Sequence, residues 1–344
     1  MNILFMCGRE PSYARNKVIL DSLKYNKYNI IECTSSSKYS IIRHITVFFK
    51  FLKNKNKADI IFIGFIGHHF VPIVRFFTKK PIIFDAFLSI YDTLIYDRKK
   101  FKKNSIISKL IYNLEKRSYN LSNKIIIDTY QHINYLVKTF NINRNKIYKI
   151  PVGVDEKIFY PKKIKSKKFI VLFYGNFMPL HGVEYIIKAA NILKNHKDIL
   201  FIIIGRGQTY NQCFKLTKRL KTKNIIFKKN MPIEEIANEI SRCNIGLGIF
   251  GNTNKAKRVI PNKIYQILAM KKPLITLETP AAKELLTDYK DVLFCQQNTL
   301  ANKILELKNN KKLLREIEEN DYKTFKKECS LPVIAKQIKK VIEN

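Results

Sequence analysis

Short apolar runs and amphipathic stretches alternate along nearly the whole 344-residue chain. Ten runs read as strands: 2–6, 60–63, 81–84, 124–127, 147–150, 169–173, 200–204, 225–227, 245–249 and 273–276. They are β-branched and apolar on both faces, as strands buried in a parallel sheet must be. Helical periodicity marks residues 183–195, 233–242, 262–270 and 300–321, and two further stretches, 41–55 and 98–121, read as basic amphipathic helices. Strands alternating with helices predict parallel βαβ sheets, and a reset near residue 160 predicts two of them. The reset falls in 151–168, rich in Pro, Gly and Lys, which composition reads as a linker. The expected domains are 1–160 and 161–325, with a C-terminal helix over 326–344 that packs back on the first domain.

Composition narrows the class. Hydrophobic residues make up 46% and charged residues 26%, which fits a globular chain. Six scattered cysteines without a CxxC pair read as a reduced protein with no zinc site. The chain starts directly on a strand and has no run of 18 apolar residues, so a cytoplasmic protein without a signal peptide or spanning helix is expected. The net charge of +37 suggests an anionic partner, but only 12 of the 64 basic residues are arginine. Nucleic-acid readers lean on arginine, and no helix-turn-helix, zinc-finger or aromatic RNA-binding motif occurs, so no nucleic-acid partner is expected. The stretch 41–55 carries Ile41, Ile45, Phe48, Phe49 and Leu52, and 98–121 carries Ile106, Ile107, Leu110, Ile111 and Leu114. Each is either a surface helix facing its own core or a helix resting on anionic lipid, which would hold the protein at the inner face of a membrane.

Three segments carry phosphate-binding chemistry. In 173–193 a strand meets a turn with Gly175 and Gly182 and then a helix, whose free N–H groups and dipole suit a diphosphate. In 201–208 a strand runs into Gly205-Arg206-Gly207, with Arg206 placed to add a basic contact. In 255–286, Pro261 and Asn262 start a helix, with Asn262 able to cap it, while Arg258, Lys263 and Gln266 crowd around that start. In the first half, Arg9 and Arg15 follow a strand and read as a loop on the acceptor side, as does His69. Asp85 ends another strand, where ligand crevices form in open sheets. Paired catalytic carboxylates and a Ser-His-Asp order are absent, and no metal site is expected.

The segment Pro151, Gly153, Val154, Asp155, Phe159, Pro161 resembles the hinge of glycosyltransferase family 4. The stretch 255–286, with its R-V-I-P-N-K run, resembles a subset of that family that builds envelope polysaccharides. The resemblance spans almost the whole chain and implies the GT-B fold, two Rossmann-like α/β domains with parallel sheets facing across a cleft. It also implies transfer of a sugar from a nucleotide-sugar to a lipid-linked or saccharide acceptor, with retention and without a metal or other cofactor. The family's Arg and Lys after the first strand of the second domain are here Asn176 and His181, and its Glu-x7-Glu pair is here Arg258 and Gln266. Under this resemblance Arg258 and Lys263 take the diphosphate, Gln266 the ribose, and His181 donates to phosphate. Asp85 stands nearest to the residue the family sets beside the donor sugar. A GT-B binding module that has lost catalysis, and a basic protein that binds anionic polymers or membrane surfaces, remain as alternatives.

Overall fold

The computed structural model describes residues 1–162 and 164–344. They form two compact units, Met1–Asp155 with Cys329–Asn344, and Glu156–Glu328. In order, the first unit contains β1 (Asn2–Met6), α1 (Ala14–Tyr25), β2 (Asn29–Cys33), α2 (Ser40–Asn54), β3 (Ile60–Ile63) and α3 (Phe70–Phe77). Then come β4 (Ile82–Phe87), α4 (Ile106–Leu121), β5 (Lys124–Ile127), α5 (Tyr130–Phe140) and β6 (Ile147–Lys149). The second unit runs β7 (Phe169–Tyr174), α6 (Val183–Ile192), β8 (Ile199–Ile204), α7 (Tyr210–Arg219), β9 (Ile225–Lys228) and α8 (Ile233–Arg242). It continues with β10 (Ile245–Leu247), α9 (Asn262–Ala269), β11 (Leu274–Leu277), β12 (Leu293–Cys295), α10 (Leu300–Asn309) and α11 (Lys311–Glu328). Helix α12 (Leu331–Glu343) ends the chain.

Each unit is one six-stranded sheet, in the orders β2-β1-β3-β4-β5-β6 and β12-β11-β10-β7-β8-β9. All pairings between these strands are parallel. Strand order reverses beside β1 in the first sheet and beside β7 in the second. At such a reversal neighbouring crossover helices lie on opposite faces, and a crevice opens at the carboxyl ends of the strands. In the first unit α1 and α12 cover one face, where Val18, Ile19 and Leu23 meet Ile334 and Ile338. Helices α2, α3, α4 and α5 cover the other through Val47, Phe51, Val71, Val74, Tyr119 and Leu136.

Several boundaries differ from expectation. The first unit closes at Asp155 and not at residue 160, because Val152 and Val154 are buried and Gly153 lies against Val18 and Ile334. Strand β2 was missed: it is an edge strand with polar Asn29 and Glu32, paired only with β1. Strand β12, a short buried strand at the edge of the second sheet, is absent from the expected set. The helix expected over 300–321 is two, parted at Asn310. The helix expected from residue 98 begins at Ile106, capped by Ser105, after a bend in which Lys99 and Asn104 are left-handed.

A buried carboxyl fixes the segment after β4. Glu115 of α4 is fully enclosed and accepts from the amides of Ile90 at 3.2 Å and Tyr91 at 2.7 Å, and from the Tyr119 hydroxyl. Burial raises its pKa to about 7, against the pull of those donors. A carboxyl that holds its proton more tightly when folded stabilises the fold below its unfolded pKa, and that contribution is lost as pH rises toward 7. From pH 4.5 to 7 the loss is about 3 kcal/mol. Denaturant titrations across this window should show Glu115→Gln gaining on wild type by roughly that amount as pH rises. A difference independent of pH would show that Glu115 does not hold a proton in this range.

Candidate functional site

The carboxyl ends of β7, β8 and β10 bring the basic and glycine-bearing loops of the second unit together. Tyr174 and Ile204 pair as the last residues of β7 and β8, so Gly175 and Gly205 adjoin. A Cβ on Gly205 would stand 2.1 Å from the Gly175 carbonyl oxygen, so only glycine allows this approach. Gly182, left-handed at φ 59°, is the N-cap of α6, and no side chain caps that helix. A Cβ there would strike the Phe250–Gly251 backbone after β10. The N–H groups of α6 thus start in the crevice beside the strand-order reversal.

Lys263 occupies the centre. It lies in the first turn of α9, which also has no side-chain cap, and is 5% exposed. Its Nζ has no hydrogen-bond partner among the described residues. It sits 3.7 Å from the centroid of the Phe173 ring, and only 3.3 Å from where a Cβ on Gly175 would be. Burial pushes its pKa well below the usual lysine range. Lys255, also buried, and Lys263 both act on His181, whose pKa is held well below its usual value, first by burial and then by the two lysines.

Around this cation the other expected residues divide. Asn176 and His181 are joined, the His181 Nδ1–H donating to the Asn176 carbonyl. A neutral His181 then presents Nε2 as an acceptor, so the expected donation to phosphate requires a second proton. Gln266 is 5% exposed, and its Oε1 accepts from the Tyr174 hydroxyl at 2.8 Å. Tyr174 was not foreseen, because as the last residue of an apolar strand it looks like core. Pro261, not Asn262, takes the N-cap position, since Pro261 has extended backbone and Asn262 is already helical. Arg258 is half-buried in the loop before α9, its amide donating to the Lys255 carbonyl. Arg206 is exposed and stacks over Tyr210 at 4.2 Å. A cavity of about 180 Å³ lies against the glycines, lined by Tyr174, Gly175, Asn176, Gly205, Asn230 and Met231. A larger groove of about 630 Å³ runs between α6 and α7 past Glu184, Gln208 and Arg219, and Lys263 does not line it.

In the first unit three expectations are corrected. Arg15 lies on α1 and not on a loop, and both it and Asp85 are fully buried. Its Nε and Nη2 donate to the Asp85 carboxylate at 2.8 and 3.0 Å, and its Nη1 to the carbonyls of Ile150 and Pro151. Burial raises the Asp85 carboxyl, and the Arg15 guanidinium opposes that rise. Asp85 therefore braces α1, β4 and the end of the first unit and does not face a sugar. What β4 presents beyond it is Phe87, left-handed at φ 58° after a register shift, with its ring 4.8 Å from Phe65 and 6.5 Å from Tyr13. His69 is corrected too: standing at the N-cap of α3, it packs its ring 4.5 Å from His44 of α2, and burial lowers its pKa to about 4. Arg9 is exposed beside the reversal at β1 and pairs with Glu10 at 3.0 Å.

Residues 154–324, within and just before the second unit, match the family model of glycosyl transferases group 1. The fold of the whole chain is GT-B, two Rossmann-like α/β domains. Sucrose-phosphate synthase from Thermosynechococcus elongatus aligns over 99% of this chain and 98% of its own, with TM-score 0.77 and 13% identity. HepE of Anabaena, solved with UDP, aligns over 99% of both chains with TM-score 0.73 and 13% identity. In sequence, an uncharacterized glycosyltransferase of Methanocaldococcus jannaschii is 26% identical over 70% of this chain and 64% of its own. A probable sucrose-phosphate synthase of Thermosipho melanesiensis is 22% identical over 63% of this chain and 51% of its own. The chain thus matches between half and two thirds of the length of these relatives.

Breaking a buried ion pair from one side costs about 3–5 kcal/mol, because the remaining charge is stranded. Asp85→Asn and Arg15→Met should each lower the urea midpoint accordingly, and the double variant should lose less than the two together. A folded Asp85→Asn protein of wild-type stability that had lost turnover would return Asp85 to the chemistry.

Proposed function

We propose that the chain is a nucleotide-sugar-dependent glycosyltransferase acting on a lipid-linked or saccharide acceptor in envelope polysaccharide synthesis, at the inner face of an anionic membrane. The observation that carries this reading is Lys263, a buried ammonium without a partner at the N-terminus of α9, facing the glycine turn that starts α6. A buried cation is stabilised by an anion that brings its own hydrogen-bond acceptors, and a diphosphate does so while also meeting uncapped helix N–H groups. The adjoining cavity takes the base, and Gln266, held by Tyr174, turns its amide to the ribose. The HepE structures, solved with UDP and with UDP-glucose, make uridine the first base to test.

The chemistry follows from charge. As the bond from the anomeric carbon to the diphosphate oxygen breaks, the leaving group gains negative charge, which Lys263, Arg258 and the two helix ends offset. The acceptor hydroxyl attacks the same face, and its proton passes to the departing phosphate oxygen, which gives retention without a protein nucleophile. The positive charge comes from the chain itself, so no metal takes part.

Thermal shift against UDP, GDP, TDP and CDP without added metal should show stabilisation by one diphosphate. Lys263→Met should raise the melting temperature of the free protein, since it removes a buried amine without a partner among the described residues, and weaken nucleotide binding about 10–100-fold. Gln266→Ala should weaken nucleotide binding without that gain in stability. Because burial depresses the Lys263 pKa and a diphosphate restores it, binding should take up a proton in wild type but not in Lys263→Met. Calorimetry in buffers of different ionisation enthalpy reads this directly. A folded protein indifferent to all four nucleotides would favour a GT-B module without catalysis.

A further inference from the structure

Helix α4 of the first unit is built inside out. Its buried side carries Ser108, Glu115, Ser118 and Tyr119, while Ile106, Ile107, Leu110 and Leu114 face solvent. A helix of a soluble domain normally turns its apolar stripe to the core. Its neighbours on the same sheet face do turn apolar residues inward, but they expose more: Ile41, Ile45 and Phe49 on α2, and Phe76 on α3. Phe76 is 84% exposed and Ile106 79%, values that mark protruding side chains.

The three helices are neighbours. Phe48 of α2 meets Phe77 of α3 at 5.8 Å between ring centroids, and Arg75 of α3 donates to the Leu121 carbonyl that ends α4 at 3.2 Å. Their outer surfaces therefore form one face. The charges on it have one sign. Residues 38–57 and 66–81 contain no Asp or Glu, and the single acid of 98–121 is the buried Glu115. Lys50, Lys53, Lys79, Lys99, Lys100, Lys102, Lys103 and Lys109 are exposed there. Protruding aliphatic and aromatic side chains within a rim of lysines complement an anionic bilayer, with the side chains entering the acyl boundary and the ammonium groups meeting phosphates. A protein partner would instead need a flat apolar patch and acids of its own.

We infer that the outer face of α2, α3 and α4, with the lysine bend at 98–103, is a monolayer-inserting surface for anionic lipid. This deepens the membrane part of the functional reading but does not depend on the donor site. It is tested by co-sedimentation of the full chain with vesicles of phosphatidylcholine, alone and mixed with phosphatidylglycerol, at low and high salt. Wild type is expected on the mixed vesicles, with a fraction that survives high salt. Replacing Lys99, Lys100, Lys102 and Lys103 by Ser should weaken that binding by about fivefold per residue, up to several hundredfold for the four together. Phe76→Ser with Ile106→Ser should instead abolish the salt-resistant fraction. All six positions are on the surface, so the melting temperature should stay at its wild-type value. Absence of binding to either vesicle, or binding that neither variant alters, would overturn the proposal. So would a concentration-dependent dimer that Phe76→Ser with Ile106→Ser dissolves, since a second copy would then cover the face. Vesicle binding by a chain indifferent to nucleotides would leave this surface standing and sink the donor-site reading alone.

Discussion

The second unit is organised around an uncompensated charge. Lys263 is held out of water against the Phe173 ring with no acceptor for its ammonium, an arrangement that costs stability unless an anion arrives. The surrounding features serve that charge. Gly175 removes the side chain that would fill the space before it, Gly205 lets the ends of β7 and β8 adjoin, and Gly182 starts α6 without a side-chain cap. Tyr174 ties Gln266 beside it.

The first unit uses the opposite device. Its buried charges are paired: Arg15 and Asp85 neutralise each other, and Arg15 also collects the carbonyls of Ile150 and Pro151 where the unit ends. The pair is a brace, and it leaves the carboxyl edge of that sheet to aromatic side chains, Tyr13, Phe65 and Phe87. The left-handed backbone of Phe87 is a strained conformation for a bulky residue, and such strain concentrates where side-chain placement matters. Unsatisfied chemistry in this protein thus lies in two places, a buried cation in one unit and an apolar, basic helix face in the other.

Legibility from the sequence followed the strength of local signals. Long apolar runs flanked by helical periodicity located ten of the twelve strands, because a strand buried on both faces has no freedom in composition. Edge strand β2 was invisible, since a half-exposed strand need not be apolar. Glycines at strand ends and the basic start of α9 singled out loops that the structure brings together. The roles of single side chains were less legible. Arg206 and Lys263 look equivalent as basic residues after a strand or at a helix start, yet one stacks on Tyr210 in solvent and the other is enclosed.

Short-range physics alone sets two parallel sheets, a break between them near residue 160, and helix starts with free N–H groups. What only the tertiary structure decided is which polar groups share a site and which helix faces look outward. Asp85 met Arg15 across 70 positions of sequence, and Tyr174 met Gln266 across 92, through strand order that no local pattern encodes. The stripe Ile106, Ile107, Leu110 and Leu114 could equally have been core. It faces solvent because Glu115, Ser118 and Tyr119, on the other side of the same helix, have partners waiting inside the fold.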